Sequence, residues 1–194
     1  MSQSPPPAAD ALERALLRRV AAGDRRAFES LYAAYFTRLA RFLRRLTPRE
    51  ELNEEAINDT FWVVWSKGGE FRGDSTVSTW IMGIAYRCAL KALRRCGAAG
   101  EELSADWPDP APQPQQAQEL SDWIGAGLRH LPADQRITIE LAYFMGHSCE
   151  EIARIMECPV GTVKARMFHA RVKLRNLLPD LGGSNQWGGH ESVG

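Results

Sequence analysis

The chain lacks long apolar runs and a disulfide pattern. No run of about 18 apolar residues is present that could cross a bilayer, and the proline-rich beginning MSQSPPPAAD has neither the basic nor the apolar segment of a secretory signal. Cysteine is scarce, and the four cysteines (Cys88, Cys96, Cys149 and Cys158) form no CxxC pair, which favours reduced thiols. These absences predict a soluble globular protein of the cytoplasm.

Net charge and catalytic motifs are also missing. The 24 Lys and Arg residues balance 24 Asp and Glu residues, so any attraction to a polyanion must be local. The sequence contains no paired catalytic carboxylates, nucleophile triad or P-loop, and we expect no enzyme, no cofactor and no small-molecule substrate. His147, Cys149 and Cys158 match no zinc spacing, and buried or capping cysteines are the preferred interpretation, so we predict no metal.

What is present is helical periodicity. Apolar residues recur at steps of three and four from Phe28 to Leu46, and similar stripes predict helices over about 50–66 and 76–96. Residues 101–122 then contain six acids, four prolines and no base, which marks a linker. Further stripes end at Pro132 and Gly146. Because no alternating pattern of useful length occurs, the fold is predicted to be all-α, with two small helical domains joined by a flexible linker.

The end of the chain predicts a helix-turn-helix. Ser148 and Glu151 have the spacing of a capping box for a short helix, and Pro159 begins a second helix. Residues 159–175 carry five basic side chains and no acid. Helical spacing places the candidate base-reading residues Thr162, Ala165 and His169 on one face, bordered by the cations Lys164, Arg166, Arg171 and Lys173. A solvated basic face is the alternative interpretation.

A second candidate nucleic-acid site precedes the helix predicted over 76–96. In the segment FRGDSTVSTWIMGIAYRCALKALRR (71–95) a short loop of Gly, Asp and Ser leads into a helix rich in aromatic and basic residues. Such a loop can hold an unstacked base, while the helix supports separated strands. The alternatives are that Trp80 and Ile84 belong to the core, and that Asp74 or Ser75 only caps the helix.

Three ordered stretches carry a family resemblance. They are NEEAINDTFWVVW (53–65), the segment 71–95, and LPADQRITIELAYFMGHSCEEIARIMECPVGTVKARMFHARVKLR (131–175). With a linker between the second and the third, the chain resembles the extracytoplasmic-function (group 4) sigma factors of the sigma-70 family over about 20–178. The resemblance implies an alternative sigma factor, which binds core RNA polymerase, reads the minus-35 promoter element and melts the minus-10 element.

The resemblance also implies roles for individual residues. Those implied to bind core polymerase are Glu55, Asn58, Asp59, Trp62 and Trp65. Those implied to contact the minus-10 element are Phe71, Arg72, Asp74, Ser75, Trp80, Arg87 and Lys91. Those implied to contact the minus-35 element are Thr162, Lys164, Ala165, Arg166, His169, Arg171 and Lys173. The chain departs from the family pattern at Asn58, where glutamine is usual, and at Gly83, where a basic residue is usual. It also departs at Ala165 and His169, where serine and arginine are frequent.

The same resemblance divides the chain. It implies an N-terminal extension (1–19), a sigma region 2 domain (20–97), an acidic linker (98–118), a sigma region 4 domain (119–179) and a flexible tail (180–194). The implied partners are core RNA polymerase, promoter DNA and an anti-sigma factor, which in this family is often membrane-bound. Two alternatives stay open at this point: a free-standing helix-turn-helix regulator, and an interaction protein with a vestigial DNA face.

Overall fold

Every element in the described part of the chain is helical, as predicted. The computed structural model describes residues 7–97, 127–128 and 130–181, with side chains between 9 and 177 in these ranges. The α-helices are α1 (Pro7–Ala21), α2 (Arg25–Arg44), α3 (Glu50–Lys67), α4 (Val77–Arg95), α5 (Ala133–Ile139), α6 (Cys149–Ile155) and α7 (Val160–Leu181). None of these helices has the length and apolar character that a membrane crossing requires. The predicted linker (98–118) and the tail beyond 181 lie outside the described residues.

The predicted N-terminal helices are confirmed, and one more precedes them. α2 begins after Asp24, whose side chain accepts hydrogen bonds from the N–H groups of Arg26 and Ala27. α3 ends one residue later than predicted, and α4 is one residue shorter than predicted at each end. α1 lies largely within the predicted N-terminal extension, where the apolar stripe gave no indication of a helix. Leu17 of α1 is buried, so this helix belongs to the core of the N-terminal half.

Local interactions define the C-terminal helices. α5 continues into one π-helical turn over Glu140–Phe144, after which Gly146 adopts a φ of +74°. The predicted capping box of α6 is confirmed, because Ser148 and Glu151 bond reciprocally to each other's backbone N–H. In the turn between α6 and α7, Glu157 has a φ of +52°, and the N–H of Cys158 donates to the carbonyl of Ala153 at 3.0 Å. This closes α6 with a Schellman-type bond.

The two halves pack against each other through α4 and α6. One apolar cluster contains Ile81, Ile84 and Ala85 of α4 together with Ile152 and Ile155 of α6. The helices approach closely at Gly83, where an added Cβ would lie 3.8 Å from the Cα of Ile155. Gly83, one of the departures from the family pattern, is therefore buried at this contact.

An ion pair between Arg45 and Glu140 adds a polar link between the halves. The Glu140 side chain is 2% exposed and that of Arg45 is 17% exposed. Burial raises the pKa of Glu140, and the neighbouring Arg45 opposes this effect. The guanidinium of Arg45 also lies 4.4 Å from the ring centroid of Phe144, so the link combines charge with a cation–π contact.

Candidate nucleic-acid interface

The predicted base-reading face of α7 is exposed. Val163, Met167 and Ala170 are buried on the inner side of the helix. On the other side Ala165 and His169 are exposed and Thr162 is half-buried. The ring of Phe168 is 63% exposed and lies 5.5 Å from the imidazole of His169. The three predicted base-reading residues thus lie on one accessible surface, which the regular geometry of a single helix creates.

The cations beside this face fall into two groups. Lys164 and Lys173 are exposed and form no ion pair with any described residue. Arg166 is half-buried, pairs with Asp134 of α5, and lies 3.6 Å from the sulfur of Cys158. Arg171 is exposed, with its guanidinium 5.8 Å from the ring of Tyr143. The lysines are available to phosphates as point charges, whereas Arg166 is oriented by the protein.

The three residues considered as metal ligands, His147, Cys149 and Cys158, each contact a different side chain. His147 lies 3.8 Å from a carboxylate oxygen of Glu151, and the sulfur of Cys149 lies 3.8 Å from that of Met167. Cys158 contacts Arg166 instead. In the described ranges no three His, Cys, Asp or Glu side chains group together as a metal site would require.

The minus-10 loop was predicted over 71–77. In the structure a loop over residues 71–76 joins a single turn of 3-10 helix (Gly68–Glu70) to α4, and Val77 is the first residue of α4. Arg72 and Asp74 are exposed at its tip, and Ser75 is half-buried. Phe71 packs against Trp80 with 5.4 Å between ring centroids. The N-cap of α4 is Thr76, whose hydroxyl accepts from the N–H of Thr79, so the interpretation of Asp74 or Ser75 as the cap was wrong.

A groove of about 510 Å³ runs between α3 and α4 beside this loop. Its lining includes Trp80, Arg87 and Lys91 from the predicted minus-10 set, and Asp59 and Trp62 from the predicted polymerase-binding set. The Trp62 ring is 68% exposed. Arg87 forms an exposed ion pair with Glu157, at 2.8 Å, from the turn between α6 and α7. The fold therefore brings aromatic and basic side chains of two predicted sites into one groove, which the carboxylates of Asp59 and Glu70 also line. Aromatic rings beside basic groups suit an unpaired strand.

The other predicted polymerase-binding residues lie along α3. Asn58 is exposed, and Glu55 pairs with Arg95 of α4, which lowers the pKa of this carboxyl. Trp65 is half-buried, with its ring 5.3 Å from that of Phe28. Trp65 therefore supports α3 from within, while Asn58 and Trp62 present the accessible surface.

The C-terminal half contacts the end of the loop 71–76 and the first turn of α4. Glu151 of α6 accepts a hydrogen bond of 2.8 Å from the hydroxyl of Thr79 and a longer one of 3.3 Å from Thr76. The pKa of Glu151 is lowered to about 2, with His147 as the largest cause, followed by the N–H of Ser148 and the Thr79 hydroxyl, while burial works against them. The sequence revealed Glu151 as a capping residue but not as a bridge between the halves.

The sequence also failed to reveal two residues of α1 that contact the loop. Asp10 accepts from the N–H of Val77, and Arg14 donates to the carbonyl of Ser75. The spacing of Asp10 and Arg14, one helical turn apart, was visible and indicates an ion pair on a helix. Nothing in that spacing identifies the distant loop as their partner.

Comparison with known proteins covers both halves. Residues 31–98 match the family described as "Sigma-70 region 2", and residues 121–174 match "Sigma-70, region 4". The chain is 31% identical over 191 residues to the ECF RNA polymerase sigma-E factor of Escherichia coli strain K12, covering 87% of this chain and 95% of that protein. It is 30% identical over 183 residues to the sigma-E factor of Haemophilus influenzae, covering 87% and 96% of the two chains.

Two solved structures share the fold of this chain. The sigma factor RpoE of Bartonella quintana, in complex with the anti-sigma factor NepR, superposes with a TM-score of 0.62 at 28% identity, over 78% of this chain and 96% of that chain. CnrH, in complex with the cytosolic domain of CnrY, gives a TM-score of 0.65 at 24% identity, over 87% and 97% of the two chains. At 24% identity, the similarity to CnrH shows a shared fold only.

Proposed function

Because the chain belongs to the extracytoplasmic-function sigma factors of the sigma-70 family, we propose that promoter reading is divided between α7 and the loop before α4. As an alternative sigma factor it binds core RNA polymerase and directs promoter-specific initiation of transcription. A free-standing helix-turn-helix regulator is excluded, since both sigma regions occur in order in one chain. The proposal concerns which residues carry out each step.

The exposed face of α7 is the observation that carries the proposal. Thr162, Ala165 and His169 stand beside lysines that pair with no acid among the described residues, on a helix that follows a tight turn. A recognition helix needs this arrangement in the major groove. Thr162 and His169 can exchange hydrogen bonds with base edges, and Ala165 can lie against a thymine methyl. Lys164 and Lys173, with Arg171, neutralise flanking phosphates. We assign minus-35 recognition to this face.

We assign minus-10 recognition to the loop 71–76 together with the groove between α3 and α4. A base that leaves the duplex loses its stacking, at a cost of a few kcal/mol. The exposed loop residues Arg72 and Asp74 offer polar partners to its edge, and Trp80 offers an apolar wall. Arg87 and Lys91 follow on α4 to hold the phosphates of the melted strand. Melting is therefore favoured by contacts that only the unpaired strand can make.

The accessible side of α3 is our assignment for the polymerase contact. Asn58 and Trp62 are exposed, Asp59 is half-buried, and Glu55 holds an ion pair with Arg95 at the edge of the surface. An exposed tryptophan beside polar groups is typical of an interaction hot spot. Because Trp62 and Asp59 also line the groove, polymerase and the melted strand would share a border there.

The family and the two solved structures support a proposal about regulation and location. RpoE and CnrH were each solved with a protein bound, NepR and the cytosolic domain of CnrY respectively, and we propose that an anti-sigma factor of comparable kind holds this chain inactive. We further propose that the chain acts in the cytoplasm and has no catalysis of its own, the nucleotidyl transfer belonging to the polymerase. Residues 20–97 and 119–179 are proposed as the two functional domains.

Run-off transcription with purified core polymerase tests the assignment. The chain should confer initiation from promoters identified by transcript mapping, and variants of the two surfaces should fail at different steps. Substitutions on α7 should weaken binding to double-stranded promoter DNA. Substitutions in the loop 71–76 should leave that binding intact and impair strand opening. If the two sets of variants fail at the same step, the proposed division is wrong.

A further inference from the structure

One ion pair of α1 anchors the loop 71–76. Nε of Arg14 donates to Oδ2 of Asp10 at 2.5 Å. From this position Nη2 of Arg14 donates to the carbonyl oxygen of Ser75 at 2.6 Å, and both terminal nitrogens lie 3.4 Å from the carbonyl oxygen of Gly73. The partners are 59 and 61 residues from Arg14 in sequence, so the anchor is a tertiary contact.

Asp10 acts where the loop passes into α4. Its Oδ1 accepts from the N–H of Val77, the first residue of α4, at 2.9 Å. Thr76 satisfies the N–H of Thr79 in the same turn, at 3.1 Å. A carboxylate at a helix N-terminus is stabilised by the otherwise unpaired N–H groups and by the helix dipole. Asp10 thereby fixes the residue at which the loop ends.

Arg14 also covers the beginning of the loop. Its guanidinium carbon lies 5.3 Å from the ring centroid of Phe71, within the range of a cation–π contact. Gly73 adopts a φ of +80°, and a Cβ there would meet Nη1 of Arg14 at 2.8 Å. A side chain at position 73 would therefore have to adopt a strained φ and shift the end of the Arg14 side chain. The loop conformation and the position of Arg14 therefore depend on each other.

We propose that Arg14, supported by Asp10, is a positioning residue for minus-10 recognition, an inference that rests on the proposed role of the loop 71–76. Arg14 holds the loop in the conformation that receives the unpaired base. Without this anchor the backbone would sample more conformations, and the bound base would have to offset the lost entropy. A loop ordered beforehand also discriminates better, because it does not rearrange around a wrong base.

A purely structural role for α1 makes a different prediction. Leu17 and Val20 are buried, so α1 contributes to the core apart from Arg14. If Arg14 only stabilised the fold, its loss would reduce binding of all DNA sequences equally. If Arg14 positions the loop, its loss reduces the preference for one base over another. The ratio of affinities for different bases therefore separates the two roles.

The experiment uses the full chain assembled with core RNA polymerase. The probe is a fork-junction DNA whose non-template strand is unpaired over the minus-10 element of a mapped promoter, made with each of the four bases at each unpaired position. The wild type should prefer the best base over the worst at one position by about tenfold or more. Arg14→Ala should reduce this ratio to roughly threefold or less, while core binding stays within about twofold.

Conservative variants refine the result. Arg14→Lys keeps the charge but not the forked donors, and should recover only part of the selectivity. Asp10→Asn keeps an acceptor for the N–H of Val77 and loses the ion pair, so it should be milder than Asp10→Ala. The matched control is Arg19→Ala, also on α1. The Nη2 atom of Arg19 lies 2.7 Å from a carboxylate oxygen of Asp24, and this ion pair does not involve the loop. This control should retain the base preference of the wild type.

Two further outcomes separate the inference from the function on which it rests. Asp74→Ala, at the tip of the loop, should itself flatten the base preference. If Asp74→Ala does so and the folded Arg14 variants keep the full preference, the positioning role is wrong. If neither change affects a preference that the wild type shows, the loop is not the reader, and the proposed minus-10 assignment fails with it. Should Arg14→Ala not fold, Arg14→Lys and Asp10→Asn decide between these outcomes.

Discussion

The two surfaces proposed to read DNA are built in different ways. The face of α7 is a property of one continuous helix, preceded by a capping box and a turn whose bonds span a few residues. The loop 71–76 is held by Asp10 and Arg14, some sixty residues earlier in the chain. A reading surface on a helix needs only local order. A reading surface on a loop needs distant residues to fix it, and is therefore more sensitive to changes elsewhere.

Glu151 takes part in both a local capping interaction and a contact between residues distant in sequence. Its Oε2 accepts from the N–H of Ser148 at 2.9 Å and closes the local capping box. Its Oε1 accepts from the hydroxyl of Thr79 at 2.8 Å and joins α6 to α4. One carboxylate thus serves the helix-turn-helix and the contact between the halves.

The largest effect is expected from a negative charge on the helical surface. Ala165→Glu places a carboxylate among base edges and phosphates, and should weaken binding of duplex minus-35 DNA more than about 100-fold. Glutamate is a good helix former, so the free energy of unfolding should change by less than about 0.5 kcal/mol. Electrophoretic mobility shift of the polymerase complex measures the binding, and urea unfolding measures the stability.

Asn176→Glu provides the matched control for this change. Asn176 is exposed further along the same helix, outside the predicted reading residues. The control should lose much less affinity than Ala165→Glu. Equal losses would show that α7 acts only through its net charge and does not read bases with its central face.

Removing the charge of Glu151 should have the next largest effect, on stability. Glu151→Gln should lower the free energy of unfolding by about 2 kcal/mol, because a buried and hydrogen-bonded carboxylate is replaced by a neutral amide. Thr79→Val removes the hydroxyl bond to Glu151 between the halves, together with the 2.8 Å contact to the Thr76 hydroxyl, and should cost about 1 kcal/mol. If Thr79→Val costs as much as Glu151→Gln, the loss in Glu151→Gln comes from the Thr79 bond, since glutamine can still complete the capping box.

The stabilisation by Glu151 should depend on pH in a defined direction. The pKa of Glu151 is lowered from 4.5 to about 2 in the folded chain. The contribution is therefore fully present above about pH 4.5 and is lost as the pH falls toward about 2. Urea unfolding between these values should show a smaller decline for Glu151→Gln than for the wild type. Parallel curves would contradict the lowered pKa.

A smaller effect, confined to promoter opening, is expected at the loop. Gly73→Ala must adopt a φ of +80° and displace Arg14, so open-complex formation should fall about tenfold while duplex minus-35 binding stays unchanged. Permanganate reactivity of unpaired thymines measures the opening. Gly69→Ala is the control, since its Cβ would make only an ordinary contact of 3.7 Å with Ala21. Equal defects in both variants would remove the special role of Gly73.

The smallest effect is expected at Arg166, because its guanidinium already forms an ion pair with Asp134. Arg166→Ala should weaken minus-35 binding roughly three- to fivefold, and should reduce the salt dependence by about one phosphate contact if a phosphate is the partner. Asp134→Asn removes the competing carboxylate and should strengthen the binding slightly. A titration of affinity against salt concentration checks both changes, and unchanged curves for Arg166→Ala would exclude Arg166 from the interface.

Much of the fold was predictable because its determinants are local. Spacing of apolar residues predicted α3 and α4 to within a residue at each end, and the Ser148 and Glu151 pair predicted the start of α6. α1 was missed, since its buried residues are few and its polar contacts are distant. The cap of α4 was misassigned because Asp74, Ser75 and Thr76 are all good N-cap residues in sequence, and only the folded loop selects Thr76.

By itself the sequence determined the helices other than α1, the accessible face of α7 and the family, because helical periodicity and capping act within a few residues. Only the tertiary structure decided that Arg14 holds the loop, that Asp134 engages Arg166, and that Glu151 reaches Thr79. The physical reason is the sequence separation between the residues that interact. Hydrogen bonds and ion pairs form wherever folding brings donors and acceptors within about 3 Å, and that proximity depends on the packing of whole helices rather than on any short stretch of residues.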